Sequence, residues 1–529
     1  MLGNKEYEEK LFLSFSLSRR IPENNFYRQL KKVLDLHFVR DLARPYYGNE
    51  GQKSIDPTVF FRLMLVGYLE NIISDRQLIE HVRMRLDLLY FIDYDIDDSL
   101  PWHSTISRTR KLLPNAIFEE AFERVLQMCV DRGLVAGHTQ AVDSAYVKAN
   151  ASLDSLEQKK PVRPLEDHIR DVKQQDAQDD TPRRRAKHDH STEEERSMHA
   201  SEKQLRDLGT HQQWFRDKKD GRLGSQDTRA RYLSNKTHYS PVDPDARIAV
   251  KPGKPRQMYY LSSMSVDTAH HVITHIRANH ADRKDSLNLI DIARQTRRRL
   301  KRQDLVMDTI LADTGYSNGE NYKYLEYNGI TGYIPTHGQY EGTREGFEYE
   351  AEHDRWRCSQ GKYATFRKIK YQKNHPDKLY YTRRSDCKGC PLAAGCIGKS
   401  HEKRISMTVY KDYYDRALER AKSRKGQYYK TIRQSTVEPV FGTLINYTGM
   451  RKINTRGIES ANKVMLMAAI AYNLKKLMKQ GSSRTSLQAQ RALKEGLYLV
   501  RSTVELLFRQ IAEIFGIPDF SFQLPEKSI

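Results

Sequence analysis

The chain has no long hydrophobic run. Its most apolar stretch, Val464 to Tyr472, spans nine residues, where a bilayer-crossing helix needs about 20. No secretory leader is expected either. Leu11-Phe12-Leu13 is short, follows Glu8, Glu9 and Lys10, and is soon interrupted by Arg19-Arg20, unlike the basic-then-apolar order of a signal peptide. A soluble, intracellular protein is expected. Cysteine is scarce, 5 in 529 residues, which excludes a disulfide scaffold. No internal repeat is found. Hydrophobic residues are somewhat few, at 38%, yet apolar runs recur along most of the chain and suffice for a core.

Acidic residues are outnumbered, and unevenly so. The net charge is +21. Between Trp356 and Gln480 there are 28 Lys and Arg against 8 Asp and Glu, so nearly the whole excess lies in that quarter. Such a concentration suits a polyanion, bound through phosphate contacts and counterion release. From 151 to 230 the balance is different, 17 basic against 17 acidic residues with few aliphatics. That composition predicts a solvated insertion, partly helical or disordered. Its Lys187-His188-Asp189-His190 run is most simply solvated and is assigned no site.

A chain of this length predicts about three units. Residues 1–130 read as helical. Apolar spacing marks Phe26 to Leu36, Asp56-Pro57 opens a second helix, Ser74 caps a third, and His103-Ser104-Thr105 begins another. Arg108, Arg110 and Lys111 suit a helix-turn-helix-like DNA reader; a plain helical scaffold explains the pattern equally well. Residues 131–337 alternate strand and helix, which predicts an α/β core. Strands are expected at Thr139–Ala149, Arg247–Val250, Gln257–Val266, His271–Ile276, Leu305–Ala312 and Ile330–Ile334. Helices are expected at Ser286–Leu300 and Asn321–Tyr327. A basic insertion rich in Tyr, Arg and Lys covers 338–425. Two helices, about 427–446 and 457–479 within 426–480, close the core. A helical tail follows at 481–529.

Asp143 and Asp313 end two expected strands, and Glu438 rides a helix that can pack on the sheet. Three acids aimed from rigid elements suit two divalent cations, which clamp the attacking and leaving oxygens of a phosphodiester. Alone, an Asp at a strand end is usually a turn former, and Asp304 and Asp308 compete with Asp313.

The motifs are more specific. Asp143-Ser144-Ala145-Tyr146-Val147-Lys148, Ala312-Asp313-Thr314-Gly315-Tyr316, Glu438-Pro439-Val440-Phe441-Gly442, and Arg456-Gly457 with Ala471-Tyr472-Asn473-Leu474-Lys475 occur in that order. Together with the helical start they resemble a DDE transposase of bacterial insertion sequences. The resemblance implies a ribonuclease-H-like catalytic core with an all-α N-terminal domain and a Cys-containing insertion. It implies Asp143, Asp313 and Glu438 as catalytic ligands of two Mg2+ or Mn2+. It implies element ends and target DNA as partners, a homodimer on synapsis, and action in the bacterial cytoplasm on nucleoid DNA. Arg108, Arg110, Tyr429, Arg433, Arg451, Lys452 and Arg456 become DNA-binding candidates. Two departures stand out: Tyr429 and Arg433 are spaced slightly unusually, and Ile445 occupies a position where Lys is common. A non-catalytic DNA-binding relative, or a nuclease without strand transfer, are the rival readings.

Cys358, Cys387, Cys390 and Cys396 give C-x28-C-x2-C-x5-C, a set that suits one tetrahedral, structural Zn2+. Similar cysteines occur in one branch of the same transposases. Four reduced thiols are the alternative. Cys129, among Val125, Leu126 and Val130, reads as core. Tyr363, Phe366, Arg367, Lys368, Lys370 and Tyr371 mix rings with cations, a composition suited to nucleic acid.

Overall fold

The computed structural model describes residues 15–48, 50, 54–161, 198–217, 233–250, 256–338, 340, 344–372 and 375–480. Most of the charged insertion, the Lys251–Pro255 turn and the tail from 481 lie outside the described residues.

The N-terminal part is helical, as its spacing predicts. After a single turn at Leu17–Arg20 come α1 (Phe26–Val33), α2 (His37–Ala43), α3 (Pro57–Leu69), α4 (Asp75–Arg83), α5 (Leu86–Ile92), α6 (His103–Leu112) and α7 (Asn115–Asp131). The caps follow from sequence. Asn25 accepts from the backbone N–H groups of Tyr27 and Arg28, and Asp56 from that of Thr58 at 2.8 Å, ahead of Pro57. Ser74 Oγ accepts from Gln77 N–H at 3.4 Å. These bonds satisfy donors that a helix start leaves open.

The α/β part is a six-stranded mixed sheet. Its strands are β1 (Thr139–Lys148), β2 (Arg247–Ala249), β3 (Gln257–Asp267), β4 (Ile273–His280), β5 (Thr309–Leu311) and β6 (Thr331–Tyr333). β3 pairs antiparallel with β1 on one side and with β4 and β2 on the other. β5 runs parallel to β1, and β6 parallel to β5. The order β6-β5-β1-β3, with β4 beyond, therefore joins an antiparallel meander to two parallel strands. The crossovers are α8 (Leu289–Lys301), before β5, and α9 (Gly319–Tyr327), before β6. β5 is shorter than the apolar run suggests. Asp304 has a φ of 55° and the N–H groups of Asp308 and Thr309 both turn to the His138 carbonyl, so Leu305–Asp308 is a loop.

The insertion folds as a second, five-stranded antiparallel sheet, β7 (Phe347–Glu350), β8 (Arg355–Cys358), β9 (Tyr363–Gln372), β10 (His375–Thr382) and β11 (Arg404–Thr408), in sequential order. Its core is separate and small: Trp356, Ala364, Tyr380, Ile405 and Met407. Then come α10 (Lys411–Lys422), α11 (Arg424–Tyr447) and α12 (Ile458–Gln480). Gly426 is obligatory at the α10–α11 junction, because a Cβ there would stand 2.0 Å from the Arg420 carbonyl oxygen.

α12 holds the molecule together. It is apolar on all sides, with Val464 to Ala471 buried throughout, the signature of a helix surrounded by protein. It packs on α7 and α3 and also on β4, so the helical part and the main sheet share one core. Four of its polar residues have a structural task. Asn473 accepts from Ile273 N–H at 3.0 Å and donates to the Ile273 carbonyl at 2.9 Å. About three turns earlier, Asn462 accepts from Ala278 N–H at 3.0 Å. Both use backbone groups that β4 would otherwise leave open on its outer side. Lys463 and Lys475 donate to the carbonyls of Arg110 and Leu69, in the last turns of α6 and α3, where the helix dipole favours a cation. At the start of α12, Asp243 and Asp245 accept from the N–H groups of Gly457 and Ile458.

Among the described residues, no helix is long and apolar enough to cross a membrane.

Candidate active site at the β1–β5 strand ends

The parallel pairing of β1 with β5 matches Thr139 to Thr309 and Ala141 to Leu311. Two residues further along each chain stand Asp143 and Asp313, so the register brings the two acids level. Asp143 is half-buried within β1. Asp313 leaves β5 and caps the following turn, accepting from Gly315 N–H at 3.0 Å.

Four neighbours define the environment of Asp143. Its Oδ1 accepts from Ser144 N–H at 2.8 Å and its Oδ2 from the Arg433 guanidinium at 3.1 Å. Burial, and next the negative charge of Asp313, push its carboxyl up to about 6; Arg433 and the Ser144 N–H pull it down, and Asp285 adds a further push. A buried carboxylate whose proton affinity is raised by a neighbouring carboxylate belongs to a site poised for a cation.

Asp285 was not singled out by sequence. It starts the 3₁₀ turn Asp285–Leu287 ahead of α8. A Cβ at Gly315 would lie 3.0 Å from Asp313 Oδ1 and 3.4 Å from Asp285 Oδ2. Both carboxylates therefore border the same small volume, and glycine leaves it open. The signal available in the sequence was Asp282-Arg283-Lys284-Asp285 directly after a strand.

Tyr316 is the floor of the site. It is fully buried, and its hydroxyl bonds Ser144 Oγ at 2.6 Å, which also meets Ser263 Oγ at 2.9 Å. This chain ties β1, β3 and the turn after β5 together. Burial and the surrounding carboxylates hold the Tyr316 hydroxyl well above its usual range, so it stays a neutral hydrogen-bonding group.

Glu438 lies on α11 and is exposed. The helix turns Arg433 to Asp143, and Glu438 sits five residues on, about 140° round the helix axis. No hydrogen bond or ion pair joins it to either aspartate among the described residues. The structure brings Asp143 level with Asp313, and Glu438 stands exposed on the helix whose Arg433 meets Asp143. Pro439 directly follows it, inside the helix, and deprives the Ser435 carbonyl of its helical donor.

The cationic candidates divide into two groups. Arg451, Lys452 and Arg456 are exposed on the α11–α12 loop, anchored where Ile453 N–H donates to the Lys148 carbonyl at the end of β1. Tyr429 packs on Tyr333 with ring centres 4.7 Å apart. Arg108 is exposed and donates to Ser104 Oγ. Arg110 is buried, paired with Asp75 at 2.6 Å and against Met64 Sδ. Its charge is used inside the helical bundle and cannot reach a phosphate, which corrects its placement among DNA contacts.

The cysteines do not assemble either. Cys358 ends β8, while Cys387, Cys390 and Cys396 follow β10, with β9 in between. Two strand spacings are about 10 Å, whereas thiolates sharing one zinc each lie about 2.3 Å from it. Cys358 Sγ accepts from Lys362 N–H and Cys387 Sγ meets Thr382 Oγ1. Among the described residues no group of three or more His, Cys, Asp or Glu is placed to hold a metal ion, so the zinc expectation is not met. Burial raises the Cys129 thiol to about 12, in keeping with an inert core residue.

Two family models match the chain. "Transposase domain (DUF772)" covers residues 15–112, the helical start through α6. "Transposase DDE domain" covers residues 357–478, from β8 to α12. Both models describe transposases, and together they support a DDE-type transposase of the insertion-sequence kind. The second match includes Arg433 and Glu438; the aspartates lie before it. No curated protein matches this transposase. Among solved structures, it is similar to a piggyBac transposase synaptic complex with hairpin DNA, at 8% identity, over 90% of this chain and 85% of that one. The TM-score is 0.25, too low to define a shared fold.

Proposed function

We propose that this transposase cuts DNA at the ends of its own element and joins them to target DNA, by phosphodiester hydrolysis followed by transesterification. The observation that carries the proposal is the levelling of Asp143 with Asp313 on adjacent parallel strands, in a chain whose family acts in transposition. The sheet order, an antiparallel meander with two parallel strands beside its first strand, supports a ribonuclease-H-like core. The site residues fit a divalent cation: the donors are all oxygens, the acids crowd one another, and Gly315 keeps the space clear. Asp143 and Asp313 would hold Mg2+ or Mn2+, with Glu438 supplied by α11, and the bound ions would activate the attacking and leaving oxygens.

The chain's own side chains do the rest. Arg433 offsets the charge of Asp143. Tyr316 and Ser144 fix the strand that carries it. Arg451, Lys452 and Arg456 offer exposed cations to the backbone of an element end. Synapsis of two ends calls for two copies of the chain. Ile445, at a position where Lys is common, favours a second reading, a DNA-binding relative that no longer cuts.

Excision of a marker flanked by the gene's own DNA ends separates the two. Cells supplying the wild type should excise it, and Glu438→Gln and Asp143→Asn should reduce excision by at least two orders of magnitude. Equal excision by wild type and Glu438→Gln would remove Glu438 from the reaction. No excision by a wild type that still binds the ends would favour the second reading.

A further inference from the structure

The second sheet has an outer part that its small core does not need. Ala364 is the last fully buried residue of β9; every residue from Thr365 to Tyr371 is exposed. β9 and β10 continue paired through this stretch, Lys368 with Leu379, Ile369 with Lys378, Lys370 with Asp377 and Tyr371 with Pro376. On its other side β10 pairs with β11, Asp377 with Thr408, Lys378 with Met407 and Leu379 with Ser406, while β9 leaves β8 after Thr365, so this β9–β10 ribbon is the margin of a three-stranded stretch with β9 as its open, exposed edge.

Its side chains are sorted. After the irregularity between Phe366 and Lys368, Lys368 and Lys370 project to one face and Ile369 and Tyr371 to the other, by the two-residue period of a strand. Arg367 lies at the irregularity itself. Arg357 on β8 lies on the lysine face, one strand away. Arg357, Arg367, Lys368 and Lys370 make no ion pair among the described residues. On that same face Arg355 stacks 3.8 Å from the ring centre of Tyr363, and Arg404 5.3 Å from that of Tyr381. The opposite face ends in Tyr371, 80% exposed. Among the described residues Arg357, Arg367, Lys368 and Lys370 thus have no acidic partner, in the most basic quarter of the chain, where a polyanion would supply one.

We propose that the outer half of β9, the open edge of this ribbon, contacts DNA, taking duplex phosphates with Arg367, Lys368 and Lys370 and presenting Tyr371 beside them. This surface is distinct from the carboxylate site, and its assignment to DNA rests on the transposase reading above. An acidic protein partner would use the cations but not the ring.

The test uses the full chain and a labelled duplex of unrelated sequence, about 30 base pairs long, with affinity measured from about 50 to 200 mM salt. The triple variant Arg367→Gln, Lys368→Gln, Lys370→Gln should lower affinity and flatten the salt slope by roughly 2.7, at about 0.9 for each phosphate no longer neutralised. A control triple, Arg294→Gln, Arg298→Gln, Lys301→Gln, removes the same charge from exposed positions on α8 and should leave the slope nearly unchanged. Tyr371→Ala should weaken binding several-fold with no change of slope. Should the triple variant fail to fold, Lys370→Gln alone should flatten the slope by about 0.9. Unchanged slope and affinity in the ribbon variants, or an equal loss in the control, would overturn the proposal and leave the transposase reading standing. A wild type that binds no duplex would overturn both.

Discussion

A carboxylate buried beside another carboxylate resists ionisation, and the consequence for Asp143 is measurable. Its folded-state value is raised from 3.8 to about 6 by burial and by Asp313. The folded protein therefore holds a proton that the unfolded chain has released. The resulting stability is fully present below about pH 4 and is lost as the pH rises through 6. Asp143→Asn has no such group. In the presence of a chelator, urea midpoints of wild type and Asp143→Asn should diverge between pH 4 and pH 6, the wild type losing ground by up to about 3 kcal/mol at ~1.4 kcal/mol per pH unit. Parallel curves would show that Asp143 is not held as described. Arg433→Gln removes the one cation that opposes the shift, so its divergence should extend to higher pH. Asp285→Asn removes a neighbouring negative charge and should narrow the window.

At the scale of elements, the polar residues of α12 carry more than the motif they belong to suggests. Asn473 was legible only as part of a family pattern, because its partner, Ile273, lies far away in sequence. The structure gives it a task, filling both backbone groups of a buried edge residue. Asn473→Ala leaves an N–H and a carbonyl without partners, at about 1–3 kcal/mol each. Asn473→Leu, which keeps the volume, should cost nearly as much, and hydrogen exchange at Ile273 should accelerate in both. Exchange unchanged in the Leu variant would reduce Asn473 to a space-filler. Elements with local signals were readable in sequence: Asp56 and Ser74 cap where expected, and β1, β3 and α11 fall close to their apolar runs. The second sheet was not readable, since its outer half has no apolar alternation to reveal a strand. The face that α11 turns to Asp143 was also hidden. Apolar and polar residues mix around that helix, so only the fold decides that Arg433, rather than Glu438, points inward.

The molecule as a whole is built from one large core and one small one. The large core joins the helical part to the main sheet through α12; the small one, five buried residues around Trp356, belongs to the second sheet alone. The asymmetry predicts two unfolding transitions, since a core of that size supports little cooperative stability by itself. Two of the tryptophans report on the parts separately, Trp102 at the start of α6 and Trp356 inside the second sheet. With Trp214→Phe in the background, single-tryptophan variants should show Trp356 melting at lower urea than Trp102. Leu466→Ala, in the middle of buried α12, should cost about 2–5 kcal/mol. It should lower the Trp102 midpoint and leave that of Trp356 in place. Coincident transitions that move together in Leu466→Ala would mean that the second sheet is held by the main body, and the ribbon on it would then be fixed relative to the carboxylates rather than free to move with bound DNA.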